Sequence, residues 1–188
     1  MIAVFLPLLV ALLASTTESC ADGGSPRIVI GAWQLLERHR DESMAVETVR
    51  AYMAAGFEHF DTADIYGKSE SLLGRAGAKH IYTKYVTSDA SEANARAVNA
   101  QSRTALGVVP SLVQFHWWDW SDRAYRQAAR HLLTLKSEGL LGEAAACNFD
   151  TAHLRELVVD EGLPLTANQV QYSLIDLRPE NAMLAFAR

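Results

Sequence analysis

Residues 57–70 read FEHFDTADIYGKSE, and the order of residue types in this stretch decides how the rest of the chain is parsed. It begins as an apolar, β-prone run and ends in turn and helix-start residues, so it reads as a strand passing into a helix. Asp61 and Tyr66 are left at the changeover. A strand that ends by presenting a carboxylate and a phenol together needs a reason, and its neighbours along the chain must supply it.

The same alternation recurs on both sides. Short apolar runs, RIVIGAW, FEHFD, HIYTKYV, SLVQFHWW, EAAACNF and LTANQVQY, are separated by longer stretches with helical spacing. Those stretches include DESMAVETVRAYMAAG, SEANARAVNAQSRTALG, DRAYRQAARHLLTLKSEG and DTAHLRELVVDEG; each opens on or just after Asp or Ser and closes at Gly, as helix caps prefer. Strands alternating with helices predict a parallel sheet with right-handed crossovers. Trp33, Asp61, Lys84, His116, Asn148 and Gln169 fall at or near successive strand ends, separated by 28, 23, 32, 32 and 21 residues, so six βα units fit before the chain stops.

A doubly wound sheet and a (β/α)8 barrel share this alternation. The glycine-rich turn of a nucleotide-binding doubly wound fold is missing after the first strand, where the chain reads GAWQLLERH. Reactive residues of a barrel come from the carboxyl ends of several different strands, and that is the distribution here. The expected fold class is therefore α/β, an incomplete (β/α)8 TIM-barrel type with six of eight units, occupying residues 26–188 as one domain. At 188 residues the chain suits one sizeable core rather than two domains.

Four polar residues at the strand ends define a chemistry. A free phenol has a pKa of about 10, so Tyr66 gives up a proton reluctantly unless an ammonium stands nearby. Lys84 follows Ile81, Tyr82 and Thr83 in the third strand, where alternation puts it on the face of Tyr82, and such a lysine needs a partner. Asp61 can hold its charge, and His116 can hydrogen-bond the oxygen that the phenol protonates. Together they describe proton delivery to a carbonyl oxygen. Singly each has a plainer reading: Asp61 a helix cap, Lys84 a rim residue, His116 a hydrogen-bonded core histidine.

At these residues the chain resembles the aldo-keto reductases. FDTADIYGKSESLLG, the lysine of IYTKYV, the histidine of VQFHWW, CNF and NQVQYS are similar to the family's signature blocks, in order and at its spacing, over residues 28–188. The resemblance implies NADPH-dependent reduction of an aldehyde or ketone to an alcohol. Tyr66 would be the general acid, Lys84 and Asp61 the linked pair that lowers its pKa, and His116 the residue that orients the carbonyl. It also implies NADPH/NADP as cofactor, with Asn148 and Gln169 on the carboxamide and Asp61 near the nicotinamide ribose. Trp33 and Trp117 match positions that line the substrate pocket.

The departures are specific. Cys147 stands where the family has serine or threonine, and Gly31-Ala32-Trp33 where many members have Gly-Thr-Trp, each losing a hydroxyl. After NQVQYSLIDLRPENAMLAFAR the family continues with a seventh and an eighth strand, which bring an aromatic for the nicotinamide and the grip on the 2′-phosphate. Six strands alone would leave two unpaired sheet edges, a reason to expect self-association, a partner or a missing C-terminal portion. The alternatives to a reductase are a non-catalytic scaffold or subunit, for which the tryptophans of WWDW offer surface, and an inactive fragment.

Composition removes other classes. A formal net charge of -5 and a pI near 5.7 leave no basic stripe for nucleic acid. The six histidines are scattered, and the two cysteines, Cys20 and Cys147, are far apart, so neither a metal site nor a disulfide framework is expected. The opening MIAVFLPLLVALLA, followed by STTESCADGGS, has the length of a signal-peptide core and is short for a spanning helix, although no Lys or Arg precedes it. Residues 1–25 are therefore read as a leader, with no stable membrane span in the mature chain. The destination would be the secretory pathway or an organelle if the leader is cleaved, and the cytoplasm otherwise.

Overall fold

A computed structural model describes residues 28–35 and 41–187. The leader read over residues 1–25, Cys20 included, lies outside them. Six strands follow one another in chain order, all parallel: β1 (Ile30–Gly31), β2 (His59–Asp61), β3 (His80–Thr87), β4 (Leu112–Trp117), β5 (Glu143–Cys147) and β6 (Asn168–Gln169). This sequential order is that of a (β/α)8 barrel opened to six strands. A doubly wound sheet would reverse its strand order partway.

Helices α1 (Glu42–Ala54), α2 (Ser69–Ala76), α3 (Glu92–Leu106), α4 (Tyr125–Ser137) and α5 (Thr151–Arg155) lie between successive strands. Three begin as the sequence predicts: Asp41, Ser91 and Asp150 accept hydrogen bonds from the backbone N–H groups of Ser43, Asn94 and His153. The fourth does not. Asp122 accepts from Ala124 N–H, but α4 starts after Ala124 with no side-chain cap. The DTAHLRELVVDEG stretch is also less regular than its pattern, since α5 passes into a π-helical turn at Glu156–Asp160. Beyond β6 a 3-10 turn, Arg178–Asn181, leads into α6 (Met183–Phe186).

The helices cover one face of the sheet. In β4, Val113, Phe115 and Trp117 join Tyr85 of β3 and Ala144 and Ala146 of β5 against Ala128, Leu132 and Leu135 of α4. A second cluster sets Phe60 and Ile81 against Val46, Val49, Leu72 and Leu73. Burying a side chain such as Phe115 fully contributes about 1.5–3 kcal/mol. Packing between helices is close enough to dictate glycine at one place. A Cβ on Gly74 would stand 2.6 Å from the Leu106 carbonyl oxygen at the end of α3.

The residues between those apolar positions face the other way, toward the inside of the curved sheet. Register pairs Asp61 with Tyr82, Lys84 with Gln114, and Cys147 with Gln169, so these side chains share the inner face. The two edge strands, β1 and β6, are each two residues long, which keeps the exposed ladder short.

Candidate active site

Asp61 is the centre of the inner face. Its Oδ2 accepts from Lys84 Nζ at 2.7 Å, and its Oδ1 accepts from Gln114 Nε2 at 2.8 Å and Gln169 Nε2 at 2.9 Å. Strands β2, β3, β4 and β6 thus converge on one carboxylate. A carboxylate has about four acceptor positions, so one lone pair of Oδ2 stays available to a ligand hydroxyl. Lys84 is 3% exposed and also donates to the Thr62 carbonyl at 2.9 Å, which occupies two of its three N–H groups. A lysine this deep is tolerable only because both contacts are made.

Tyr66 comes from the loop after β2. The Lys84 ammonium lies over its ring, 5.1 Å from the centroid. The phenol is nevertheless held above its ordinary pKa, first by burial and then by the Asp61 carboxylate, Cys147 and Asp64. The lowering expected from the Lys84–Asp61 pair is not the net result in this arrangement, because desolvation disfavours the phenolate and the Asp61 carboxylate repels it. The ring keeps its proton. Asp64, in the same loop, is raised to about 6, chiefly by burial.

His116, at the end of β4, is 8% exposed, with Nδ1 3.1 Å from the Cys147 carbonyl oxygen. Burial lowers its pKa, so the ring is neutral at physiological pH. Cys147 itself is buried, its thiol pushed up to about 12 by desolvation, and its Sγ lies 3.6 Å from Gln169 Oε1. It fills the place of a hydroxyl as a weak partner of that amide, without thiolate chemistry. Asn148 is exposed at the end of β5 in the left-handed region, φ 59, its N–H donating to the Gln169 carbonyl at 2.7 Å. Beside it a cavity of about 480 Å³ opens between the loops after β5 and β6, lined by Asn148, Asp150, Gln171, Arg178 and Met183 among others. Tyr66, Lys84 and His116 are not among its lining residues.

The tryptophans divide. Trp33 is 55% exposed and stacks on Tyr66, with ring centroids 5.9 Å apart. Trp117, expected in the substrate pocket, is buried instead on the helix-covered face against Phe115, its Nε1 donating to the Asp119 carbonyl. Strand alternation is the cause: if His116 points inward, its neighbour must point outward. The aromatic that meets His116 is Trp118, 62% exposed, with centroids 4.3 Å apart. Trp120 packs against Tyr125, Phe149 and His153. Only Trp118 of the three is therefore largely exposed, which weakens WWDW as a partner surface.

Sequence reasoning missed Gln114 and underweighted Trp118. A glutamine in the middle of a strand whose neighbours are all apolar or aromatic was the available signal for the first, because an amide there requires a buried partner. Among the described residues, no group of three or more His, Cys, Asp or Glu side chains could hold a metal ion.

Comparison with known proteins bears on the family and the fold. Residues 27–188 match the profile of the Aldo/keto reductase family. A methylglyoxal reductase of Yersinia pestis is 30% identical over 155 residues, covering 78% of this chain and 53% of the relative. A Mycobacterium aldo-keto reductase is 28% identical over 180 residues, covering 88% of this chain and 63% of its own length. The chain thus spans between half and two thirds of these relatives. Among solved structures, a thermostable aldo-keto reductase with the inhibitor epalrestat superimposes with a TM-score of 0.77 at 22% identity, covering 87% of this chain and 65% of the other. A Klebsiella pneumoniae aldo/keto reductase in complex with NADP and acetate gives 0.76 at 23%, covering 86% and 59%. With its sequential parallel strands and a family profile matched over residues 27–188, the chain belongs to the aldo/keto reductase family.

Proposed function

We propose that this chain carries the catalytic half of an NADPH-dependent carbonyl reductase, reducing an aldehyde or ketone to an alcohol with Tyr66 as proton donor. The supporting observation is the Asp61–Lys84 pair, buried with the ammonium over the Tyr66 ring. Tyr66 keeps its proton in the resting site and delivers it to the carbonyl oxygen as negative charge builds there. Lys84 stabilises the phenolate left behind, and Asp61 fixes Lys84 in place while Gln114 and Gln169 fix Asp61. Trp33 stacks on Tyr66 and Trp118 packs against His116, so the two rings border the place of the reacting oxygen.

The donor set fits a nicotinamide cofactor. Asn148 and Gln169, on adjacent strand ends, present amides suited to a carboxamide, and the remaining lone pair of Asp61 Oδ2 suits a ribose hydroxyl. When bound, the cofactor supplies the hydride. The related Klebsiella enzyme is seen with NADP, which supports the choice of phosphorylated cofactor.

The test is a titration of NADPH followed by tryptophan fluorescence, then oxidation of NADPH with a panel of aldehydes. Binding and turnover that Tyr66→Phe abolishes, with NADPH affinity retained, is the expected result. A folded, soluble chain that neither binds nor oxidises NADPH would overturn the proposal.

A further inference from the structure

Tyr66 sits in the middle of a loop whose two ends are tied together. Thr62, directly after Asp61, and Ser69, the first residue of α2, are both buried, and the Thr62 hydroxyl lies 2.9 Å from Ser69 Oγ. Ser69 Oγ in turn lies 3.0 Å from the carbonyl oxygen of Ala32, the residue between β1 and Trp33. The direction of this chain is forced. A carbonyl oxygen only accepts, so the single proton of Ser69 Oγ goes to Ala32, and Thr62 donates to Ser69. Between the two ends, the Tyr66 N–H donates to the Ala63 carbonyl at 3.1 Å, and the Tyr66 carbonyl accepts from the Ser69 N–H at 3.0 Å. Each anchor adjoins the site: Ala32 precedes the ring that stacks on Tyr66, and the Thr62 carbonyl accepts from Lys84 Nζ.

Helix α2 has other means of staying in place. Glu70 accepts from the Thr83 hydroxyl of β3 at 2.6 Å, and Leu72, Leu73 and Ala76 are buried. What the Ser69 hydroxyl adds is a fastening of the Tyr66 loop to the ends of β1 and β2. We infer that Ser69 is a positioning residue for the reduction: with Thr62 as its donor and the Ala32 carbonyl as its acceptor, it clasps the loop and sets the Tyr66 phenol against Lys84 and Trp33. The inference rests on the reductase reading above and deepens it. The clasp acts through the loop backbone, and a reacting group displaced by about 1 Å can lose on the order of 10²-fold in rate.

Three variants of the whole chain test this. Ser69→Ala removes the middle of the clasp, Thr62→Val removes the donor at nearly the same size, and Thr62→Ser keeps the hydroxyl and loses a methyl. Ser69→Ala should lower kcat for NADPH-dependent carbonyl reduction roughly 10- to 100-fold and Thr62→Val about three- to tenfold. KM and NADPH affinity should stay within about twofold of wild type, and Thr62→Ser should keep its kcat. A loss confined to the melting temperature, or equal kcat losses in Thr62→Val and Thr62→Ser, would overturn the inference, because packing alone would then be the role. A second readout needs neither cofactor nor substrate: the nuclear Overhauser contact between the Trp33 and Tyr66 rings, assigned by its loss in Trp33→Leu. Wild type and Thr62→Ser should show it and Ser69→Ala should lose it; its persistence in Ser69→Ala at full intensity overturns the inference. Should Ser69→Ala fail to fold, Thr62→Val decides by the same two readouts. A folded wild type that never oxidises NADPH would defeat the proposed function, and the ring contact would still decide whether Ser69 sets the phenol.

Discussion

The two faces of the one sheet are built on opposite terms. On the helix-covered face, Phe60, Ile81, Val113, Phe115, Ala144 and Ala146 touch helices through apolar atoms alone. On the inner face the strands present Asp61, Lys84, Gln114 and Gln169, tied by hydrogen bonds of 2.7–2.9 Å around Asp61, and His116, whose Nδ1 lies 3.1 Å from the Cys147 carbonyl oxygen. The outer face is tolerant, because dispersion and burial are non-directional and a smaller side chain loses only its share. The inner face is not, since removing one member leaves a buried donor or acceptor unpaired. Stability and chemistry are thereby separated onto alternate residues of single strands, and variants on the two faces should fail in different ways.

The largest expected effect lies on the inner side and leaves stability alone. Tyr66→Phe should lower carbonyl reduction by about 10²- to 10⁴-fold, the range of a general acid, while NADPH affinity and the thermal midpoint stay near wild type. A matching loss of melting temperature would blur the separation. Phe115→Ala on the outer face should do the reverse, costing about 3–5 kcal/mol in urea unfolding with the turnover of the remaining folded protein retained.

Lys84→Met crosses the divide. Removing one partner of a buried pair should cost about 3–5 kcal/mol in stability and abolish turnover. Adding Asp61→Leu should restore most of the stability but none of the activity. If the double variant stays as unstable as the single one, the pair contributes to folding more than a buried ion pair ordinarily does.

A smaller effect is expected at Gln114, where Asp61 keeps its other two donors. Gln114→Leu should reduce kcat roughly three- to tenfold with KM little changed, as expected for loss of one net hydrogen bond that holds a charged group. A change confined to the melting temperature would make Gln114 structural only.

The last prediction concerns pH. Burial raises Asp64 from its ordinary value of 3.8 to about 6. Its folded form binds the proton more tightly than its unfolded form, so its contribution to stability is full below 3.8 and is lost as pH rises through about 6. Urea unfolding of wild type and Asp64→Asn across this range should show the variant gaining relative stability as pH increases. A constant difference between them would mean that Asp64 titrates alike in both states.

Much of this was legible in the residues. The repeated strand-to-helix changeovers gave the order of the elements, and the caps at Asp41, Ser91 and Asp150 gave three helix starts. Asp61 ends β2 and His116 is the last residue but one of β4, near the strand ends that periodicity predicts, whereas Lys84 lies inside β3, three residues before its end. The face of Trp117 was also available, since the alternation that turns His116 inward turns its neighbour outward; the resemblance pointed to a pocket and the strand geometry decided otherwise. The start of α4 was misread because Asp122 caps a turn that precedes the helix.

The sequence by itself determined the repeating βα architecture and the family, and it singled out the four side chains proposed to react, because those follow from local periodicity and short-range motifs. Only the tertiary structure decided that Gln114 and Gln169, 55 residues apart, share one oxygen of Asp61, that burial and the Asp61 carboxylate hold the Tyr66 phenol above its ordinary pKa, and that His116 turns Nδ1 to the Cys147 carbonyl. Hydrogen-bond partners and desolvation are properties of distances between strands, and those distances exist only once the strands lie side by side in the curved sheet.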